Sequence, residues 1–202
     1  MARPKEFDAN VVVQDAMEAF WERGYAGTSV NDLLEETGLN RGSLYGSFGD
    51  KHKLFLTALD RYDQQGWAMI RETLDQPGRA REVIENWIQS YAESCTGTEG
   101  RRGCLLCKAA MELVPHDPEV AAWMRRVGRR NERYLARLVE RGQREGDIDP
   151  KLDARAVARF LWNSLAGLRL MGTTSPTRRD VREVIDLVLR VIVKSPKRQG
   201  AM

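Results

Sequence analysis

Apolar residues recur at intervals of three and four positions along most of the chain, with polar residues between them. This spacing places the apolar side chains on one face of an α-helix, whereas a strand would need strict alternation. Glycine and proline interrupt the pattern and mark the ends of successive helices. The pattern therefore predicts an all-α fold of about nine helices.

The most informative part of the pattern is residues 28–53, TSVNDLLEETGLNRGSLYGSFGDKHK, which follow a first helix over about residues 11–23. Thr28 is placed to cap a short helix, and Gly38 is placed to end it in the left-handed conformation. Asn40 can then cap a second short helix, whose exposed positions are small or polar. Two helices, a tight turn and a polar second helix predict a helix-turn-helix, whose second helix enters a DNA major groove.

Several runs in this part of the chain carry a family resemblance. The run GLNRGSLYGSFGDKHKLF, together with ERGYAGTSVNDL, FWERG and the opening ARPKEF, is similar to the recognition segment of the TetR/AcrR family of one-component transcriptional repressors. The match covers roughly the first quarter of the chain, and several of its positions occur together in order. The resemblance implies an all-helical homodimer with an N-terminal DNA-binding head and a larger C-terminal domain that binds an inducer and dimerises.

The breaks in the pattern divide the chain into three predicted parts. Residues 1–53 form a three-helix head, residues 54–195 form a helical ligand-binding and dimerisation domain, and residues 196–202 form a flexible tail. The resemblance makes a fourth helix, over residues 51–74, the lever that joins the first two parts. Further helices are predicted over residues 80–95, 103–113, 119–144, 153–171 and 178–193, with a loop over 96–103.

Candidate DNA contacts follow from the residue types in the head. Thr28 and Ser29 place hydroxyl groups and free backbone N–H groups at a helix N-terminus, which can bind a phosphate. Arg41 is the best candidate for reading a base, because its guanidinium can pair with O6 and N7 of guanine. Ser43 can touch a base edge or a phosphate, and Gly42 lets the backbone approach closely.

The family resemblance adds four further DNA contacts. Tyr45 and Lys51 correspond to family positions that bind backbone phosphates. Arg3 and Lys5 belong to an N-terminal arm that can enter the minor groove, where arginine is favoured. The alternatives are that Tyr45 is a half-buried core ring and that the arm is a disordered tail with incidental charge.

The charge distribution limits what composition can say about DNA. The whole chain carries a net charge of +3, but residues 1–53 hold six Lys and Arg against nine Asp and Glu. The acidic residues lie on the first two helices, whereas residues 37–49 contain one arginine and no acid. DNA binding therefore requires most of these acids to face away from the duplex.

Composition also indicates the class of protein and its compartment. Of the 202 residues, 42% are hydrophobic and 30% are charged, which is typical of a globular protein. No apolar run approaches the roughly 20 residues needed to span a bilayer, and the N-terminus lacks the apolar core of a signal peptide. Three cysteines do not make a secreted disulfide framework. We therefore expect a cytoplasmic protein that makes no contact with membranes.

The run GCLLCKAAMEL, residues 103–113, offers a second kind of chemistry. Cys104 and Cys107 lie near a helix N-terminus, and the helix dipole and neighbouring cations favour their thiolates. A redox or electrophile switch is one interpretation, and small side chains that fill space beside a ligand cavity are the other. A metal site with His116 lacks a fourth ligand, and nothing orients a cysteine–histidine catalytic pair. We therefore predict no cofactor, no metal and no enzymatic activity.

Two larger sets of residues are predicted for the C-terminal domain. Aromatic, sulfur-containing and apolar residues that the helix layout directs inward are candidates for an effector cavity: Trp87, Tyr91, Cys104, Cys107, Met111, Trp123, Met124, Trp162 and Leu165. The last two helices are apolar over more than one stripe, which favours pairing with a second copy in a four-helix interface. The candidates for that interface are Val157, Phe160, Leu161, Leu168, Val181, Val184, Ile185, Val188, Leu189 and Ile192.

These patterns together predict a homodimeric repressor that binds a near-palindromic DNA operator and is released by a small apolar or aromatic effector. The first alternative is a thiol-based sensor of the same fold that uses Cys104 and Cys107. The second is a small-molecule-binding or catalytic helical bundle that does not bind DNA.

Overall fold

The computed structural model describes residues 7–192, and this part of the chain is helical without strands. The predicted all-α fold is thus confirmed. The predicted arm residues Arg3 and Lys5 and the predicted tail lie outside the described residues. The α-helices are α1 (Ala9–Arg23), α2 (Val30–Thr37), α3 (Arg41–Phe48), α4 (Lys51–Leu74), α5 (Ala80–Glu93), α6 (Gly97–Arg102), α7 (Leu105–Leu113), α8 (Pro118–Glu145), α9 (Ala154–Met171) and α10 (Arg178–Ile192).

The described residues contain ten α-helices and one 3₁₀ turn, where about nine helices are predicted. The additional helix is α6, which falls on the predicted loop over residues 96–103. The Gly103 backbone, at φ 75°, ends it. Its GTEGRR sequence contains two glycines and no apolar residue, so periodicity gives no signal for it.

The chain divides into two compact units. The first unit comprises the described residues up to Met69 together with Cys104–Met124, and the second comprises Ile70–Gly103 together with the residues from Arg125 onward. This division differs from the predicted domains, residues 1–53 and 54–195. Sequence order could not reveal that α7 and the first turns of α8 pack with the N-terminal helices, because that packing joins distant parts of the chain.

The first unit is built around the N-terminal helices. Asp8 caps α1 by accepting a hydrogen bond from the Asn10 N–H, and Gly24, at φ 77°, ends the helix. The fully buried Phe20 ring meets Phe55 of α4 edge to face, with 4.9 Å between ring centroids. Such aromatic pairs stabilise a small core beyond the area that they bury. This core holds α1 against α4.

The second unit has its own apolar core, formed by α5, the later part of α8, α9 and α10. Trp87 and Ile88 of α5 pack in one cluster with Leu161 of α9 and Ile185 of α10. Each of these residues belongs to the apolar stripe that the sequence predicts for its helix. No helix within residues 7–192 is long and apolar enough to cross a membrane.

Candidate DNA-binding surface

The turn between α2 and α3 has the geometry of a helix-turn-helix. Ser29 caps α2 by accepting a hydrogen bond from the Asp32 N–H, and the Asp32 carboxylate accepts one from the Ser29 N–H. Gly38 ends α2 in the left-handed conformation at φ 65°. Asn40 caps α3 by accepting from the Ser43 N–H at 2.8 Å. These local hydrogen bonds and the left-handed glycine set where the two helices begin and end, and each helix also buries one leucine in the core.

One predicted contact in this segment needs correction. Thr28, predicted as the α2 cap and as a phosphate contact, is fully buried. Its hydroxyl donates a hydrogen bond to the Gly24 carbonyl oxygen at 2.7 Å, within the α1–α2 connection. The cap is instead Ser29, one residue later. Both hydroxyl residues can cap a helix, so composition alone could not decide between them.

The outer face of α3 is exposed and polar. Leu44 is the buried residue of this helix, while Arg41, Gly42 and Gly46 are exposed and Tyr45 is 39% exposed. Ser43, predicted to touch a base edge or a phosphate, is half-buried beside the helix cap. A helix with one buried residue gains little from the core, so most of its surface is available to a partner.

Arg41 is held in place by a neighbour on α2. Its Nη2 donates a hydrogen bond to Asn31 Oδ1 at 2.9 Å, and both side chains are exposed. Asn31 is not among the residues that the sequence points to, because a contact across the turn leaves no periodic signal. The contact extends the guanidinium along the α2–α3 surface, and an exposed hydrogen bond of this kind can be exchanged for a base or a phosphate.

Lys51, at the start of α4, lies over an aromatic ring. Its Nζ is 4.2 Å from the centroid of the Tyr25 ring, a cation–π contact. Burial lowers the pKa of the Lys51 ammonium below its ordinary value, while the carboxylates of Glu112 and Asp32 oppose that shift. The ring therefore supports a cation that remains half-exposed at the edge of the helix-turn-helix.

Two acidic residues of α2 are engaged by other groups. Hydrogen bonds from the Ser29 hydroxyl and N–H lower the pKa of the Asp32 carboxyl, which therefore stays ionised within its cap. The Glu36 carboxylate pairs with the Arg23 guanidinium, which offsets its charge. Local pairing therefore reduces the phosphate repulsion expected from a net acidic head.

Two family models match this chain. The model described as bacterial regulatory proteins of the tetR family matches residues 12–58, which contain the helix-turn-helix. The model described as the tetracyclin repressor-like C-terminal domain matches residues 77–187, more than half of the chain. The chain belongs to the TetR family. The predicted family is confirmed, and the family is one of transcriptional regulators with a DNA-binding helix-turn-helix, not of enzymes.

Relatives extend the TetR family match over nearly the full chain. The HTH-type transcriptional regulator YezE of Bacillus subtilis (strain 168) is 33% identical, over 95% of this chain and 100% of that protein. The HTH-type transcriptional repressor ComR of Escherichia coli (strain K12) is 27% identical, over 94% of this chain and 90% of that protein. The similarity is therefore not confined to the helix-turn-helix.

Solved TetR family structures share the fold. A cysteine mutant of the regulator CifR, complexed with 26-bp double-strand operator DNA, matches with a TM-score of 0.83 and 30% identity. The match covers 95% of this chain and 100% of that one. A TetR family regulator from Cytophaga hutchinsonii matches with a TM-score of 0.82 at 19% identity, which supports the fold alone.

Four of the predicted effector-cavity residues lie together in the second unit. Trp87 stacks on Trp162 with 6.5 Å between ring centroids, and Tyr91 lies 6.4 Å from Trp87. Leu165 is buried in the same core. Trp87 and Leu165 are almost fully buried, whereas Tyr91 and Trp162 are half-buried. The aromatic residues thus form one cluster whose outer members remain accessible.

The other five predicted cavity residues belong to the first unit. Trp123 is buried, and its Nε1 donates a hydrogen bond to Asp60 Oδ1 at 2.6 Å, which is a structural role. Met111 is 64% exposed, which a cavity wall would not be. Cys104, Cys107 and Met124 are half-buried. Helical layout alone could not separate core, wall and surface among these residues.

Cys104 has an unusually acidic thiol. It is the N-cap residue of α7. Its pKa is lowered to about 6, because a hydrogen bond from the Cys107 thiol outweighs the effect of burial. Backbone N–H groups of Leu106 and Cys107 and the hydroxyl of Tyr62 act in the same direction. Hydrogen bonds at the helix N-terminus therefore favour the Cys104 thiolate.

A metal site is not formed by the residues that suggested one. Within residues 7–192, no group of three or more His, Cys, Asp and Glu side chains could hold a metal ion. His116 is exposed, whereas Cys104 and Cys107 are half-buried. These residues therefore supply no ligand set.

A groove that the sequence does not predict lies between α5 and α10. It has a volume of about 270 Å³, and Glu93, Arg178, Arg182 and Asp186 contribute to its lining. Its charged rim differs from the apolar cavity that the sequence predicts. The groove arises where two amphipathic helices meet, and periodicity does not report the space between helices.

The predicted dimer residues divide by accessibility. Phe160 and Val184 are 39% and 41% exposed, and Leu189 is half-buried. Two exposed residues of α10, Leu187 and Val191, are missing from the prediction. The remaining predicted residues are buried in the core of the chain itself: Val157, Leu161, Leu168, Val181, Ile185, Val188 and Ile192. Each helix has two apolar stripes, and only packing decides which one faces inward.

Proposed function

We propose that this TetR family protein is a homodimeric transcriptional repressor whose two heads bind half-sites of a near-palindromic operator, and that a small effector releases it. The observation that carries the proposal is the α3 face, which is exposed, polar and headed by Arg41. Two such helices in a symmetric pair suit successive major grooves about one helical turn apart. The relative ComR of Escherichia coli is a transcriptional repressor.

The contacts at the operator divide into reading and positioning. Arg41 reads a base, because its guanidinium can exchange the Asn31 amide for the two acceptors of a guanine. Tyr45, Lys51 and the Ser29 end of α2 bind backbone phosphates. Arg3 and Lys5 belong to the arm that enters the minor groove. Gly42 lets the helix approach closely, and Ser43 touches a base edge or a phosphate.

Dimerisation is proposed through the exposed stripe of α9 and α10. On α9 five of the accessible positions are spaced three and four apart and form one face of the helix: Ala156, Phe160, Asn163, Gly167 and Leu170. On α10 the accessible apolar positions Val184, Leu187 and Val191 are spaced in the same way. An apolar face of this kind is stabilised by burial against an identical face in a four-helix interface.

The effector is proposed to be apolar or aromatic. The stacked pair Trp87 and Trp162, with Tyr91 beside it, supplies flat apolar surface for a ring. A ligand releases the operator if it binds one arrangement of the dimer better than the arrangement that fits DNA.

An electrophoretic shift with the DNA upstream of the protein's own gene tests operator binding. Arg41→Ala and Tyr45→Ala variants that fold normally should bind this DNA more weakly. Light scattering on the wild type should give twice the mass of the chain. A monomer in dilute solution that shifts no duplex would overturn the proposal and leave a helical bundle without DNA binding.

The thiol switch stays a second candidate, which the family comparisons do not support. What favours it is the acidic Cys104 thiol at the start of α7, beside Cys107. In this case mild peroxide should abolish the DNA shift of the wild type and leave that of Cys104→Ser intact. An unchanged shift of the wild type, or an equal response of the two proteins, would eliminate the switch.

A further inference from the structure

The connection between α1 and α2 is held by a carboxylate that lies far away in the sequence. Glu112 of α7 accepts hydrogen bonds at Oε2 from the Tyr25 N–H at 2.8 Å and from the Ala26 N–H at 3.2 Å. The Glu112 carboxylate can lie this close to the backbone because residue 24 is glycine. A Cβ atom at that position would lie 2.1 Å from Glu112 Oε1. The carboxylate therefore takes the place of the backbone acceptors that a continuing helix would provide.

A lysine one helical turn earlier on α7 binds the end of α1. Lys108 Nζ donates hydrogen bonds to the carbonyl oxygens of Trp21 at 2.6 Å and Glu22 at 3.0 Å. These carbonyls belong to the last turn of α1, whose acceptors have no helical donor. A cation at a helix C-terminus also interacts favourably with the helix dipole. Lys108 and Glu112 thus hold the two sides of one chain reversal.

The residue that Glu112 holds is the one that supports Lys51. The Tyr25 ring lies under Lys51 Nζ, 4.2 Å from its centroid, and packs against Phe55 with 4.9 Å between ring centroids. The next residue of α4, His52, contacts Asp117 Oδ2 through Nε2 at 2.6 Å. The residues around α7 and the start of α8 therefore meet the edge of the head at both Tyr25 and His52.

We propose that Glu112, together with Lys108, positions the phosphate-binding edge of the DNA-binding head by fixing Tyr25 beneath Lys51. The inference rests on the proposed operator binding. It adds a pair of residues on α7, outside the helix-turn-helix in the sequence, on which operator binding depends. Glu112 does not touch DNA in this scheme; it acts through the backbone of Tyr25 and the ring that carries the lysine.

A double-mutant cycle on operator affinity tests the proposal. The full-length wild type, Glu112→Ala, Lys51→Ala and the double variant are titrated against a duplex from the protein's own upstream DNA at one salt concentration. As a single substitution, Glu112→Ala should weaken operator binding by about tenfold relative to the wild type, because two N–H groups lose their acceptor. In the Lys51→Ala background the same change should weaken binding by less than about twofold, because the two residues act as one unit.

Two further variants separate positioning from general loss of stability. Glu112→Gln keeps an oxygen that can accept from the Tyr25 N–H, so it should restore most of the affinity. Glu140→Ala, which removes an exposed glutamate of α8, is the matched control and should leave binding unchanged. Hydrogen exchange at the Tyr25 and Ala26 amides should accelerate in Glu112→Ala and in Lys108→Met, but not in the control.

The results separate a failure of the positioning role from a failure of the proposed operator binding. If the wild type binds the duplex and the losses from Glu112→Ala and Lys51→Ala multiply fully, the positioning role is wrong while operator binding stands. The same conclusion follows if amide exchange at Tyr25 and Ala26 is unchanged in Glu112→Ala. If the wild type binds no duplex, the proposed function fails and the inference fails with it.

Discussion

Two exposed helical faces of this chain are built from opposite residue types. The α3 face presents Arg41, glycines and Tyr45 and has one buried apolar residue, Leu44. The face shared by α9 and α10 presents large apolar groups, with Leu187 62% exposed. Burial in the core of its own unit does not account for the residue types on either face. The polar face suits a hydrated, charged partner, whereas the apolar face suits a second apolar face of the same kind.

The difference also shows in how each helix is stabilised. The α3 helix has eight residues and depends on its Asn40 cap and the neighbouring turn. The α10 helix has fifteen residues and buries Val181, Ile185 and Val188 against its own unit. A short helix that depends on caps leaves its side chains to a ligand. A long helix with two apolar stripes can satisfy a core and a partner at once.

Placing a charge on the apolar face should weaken operator binding most. Leu187→Glu puts a carboxylate into the proposed self-complementary interface, where it would be buried against apolar residues of a second copy. We expect the dimer to dissociate at micromolar concentration and operator affinity to fall by more than about 100-fold, because one head makes half the contacts. Sedimentation and a gel shift measure the two effects. A fully dimeric Leu187→Glu protein would place the interface elsewhere.

The next effect comes from removing the reading group on the polar face. Arg41→Ala should weaken operator binding by about 10- to 100-fold, the range of one bidentate contact to guanine. The loss should be much smaller on unrelated DNA, and the melting temperature should not change, since the side chain is exposed. Asn31→Ala is the companion variant, because it removes the hydrogen-bond partner of Arg41 and keeps the arginine itself. Equal losses on operator and unrelated DNA would make Arg41 a phosphate contact.

A smaller effect should distinguish phosphate contacts from base contacts on the same face. Tyr45→Phe removes one hydroxyl and should weaken binding by roughly fivefold, equally on all sequences. Lys51→Ala should also reduce the slope of log affinity against log salt by about 1. Fluorescence anisotropy over a salt series measures both. An unchanged slope would remove Lys51 from the set of phosphate contacts.

The smallest effect concerns the caps that start α2 and α10. Each pairs a hydroxyl residue with an aspartate three positions later, Ser29 with Asp32 and Thr177 with Asp180. Hydrogen bonds from the hydroxyl residue lower the pKa of each aspartate below its ordinary value. A lowered folded-state pKa contributes stability that is complete above the unfolded pKa and is lost as the pH falls through the folded pKa.

Ser29→Ala should therefore lower the melting temperature by a few degrees at neutral pH and return the pKa of Asp32 towards its ordinary value. Carboxyl NMR titration of the variant and the wild type measures that change. Thr177→Ala is the matched variant on α10. An unchanged Asp32 titration in Ser29→Ala would show that the cap does not hold the carboxylate.

Sequence patterns predicted the helices well where the apolar spacing and capping residues lay within one helix. The spacing of apolar residues located the major helices, and Gly38 and Asn40 marked the turn and the cap of α3 correctly. The α6 helix was missed because its sequence has no apolar residue to reveal a face. The polar surface of α3 was predicted because a helix with few apolar residues can bury little, whatever surrounds it.

The helical fold, the helix-turn-helix and the polar character of its second helix can be read from the sequence, since they follow from periodicity, caps and turn residues within a few positions. Helix packing was needed to show that Thr28 is buried, that Leu187 rather than Ile185 faces outward, and that Glu112 holds Tyr25 from 87 residues away. A periodic pattern defines faces relative to one helix axis. Which face turns inward, and which distant group supplies an acceptor, depends on the packing of other helices against it.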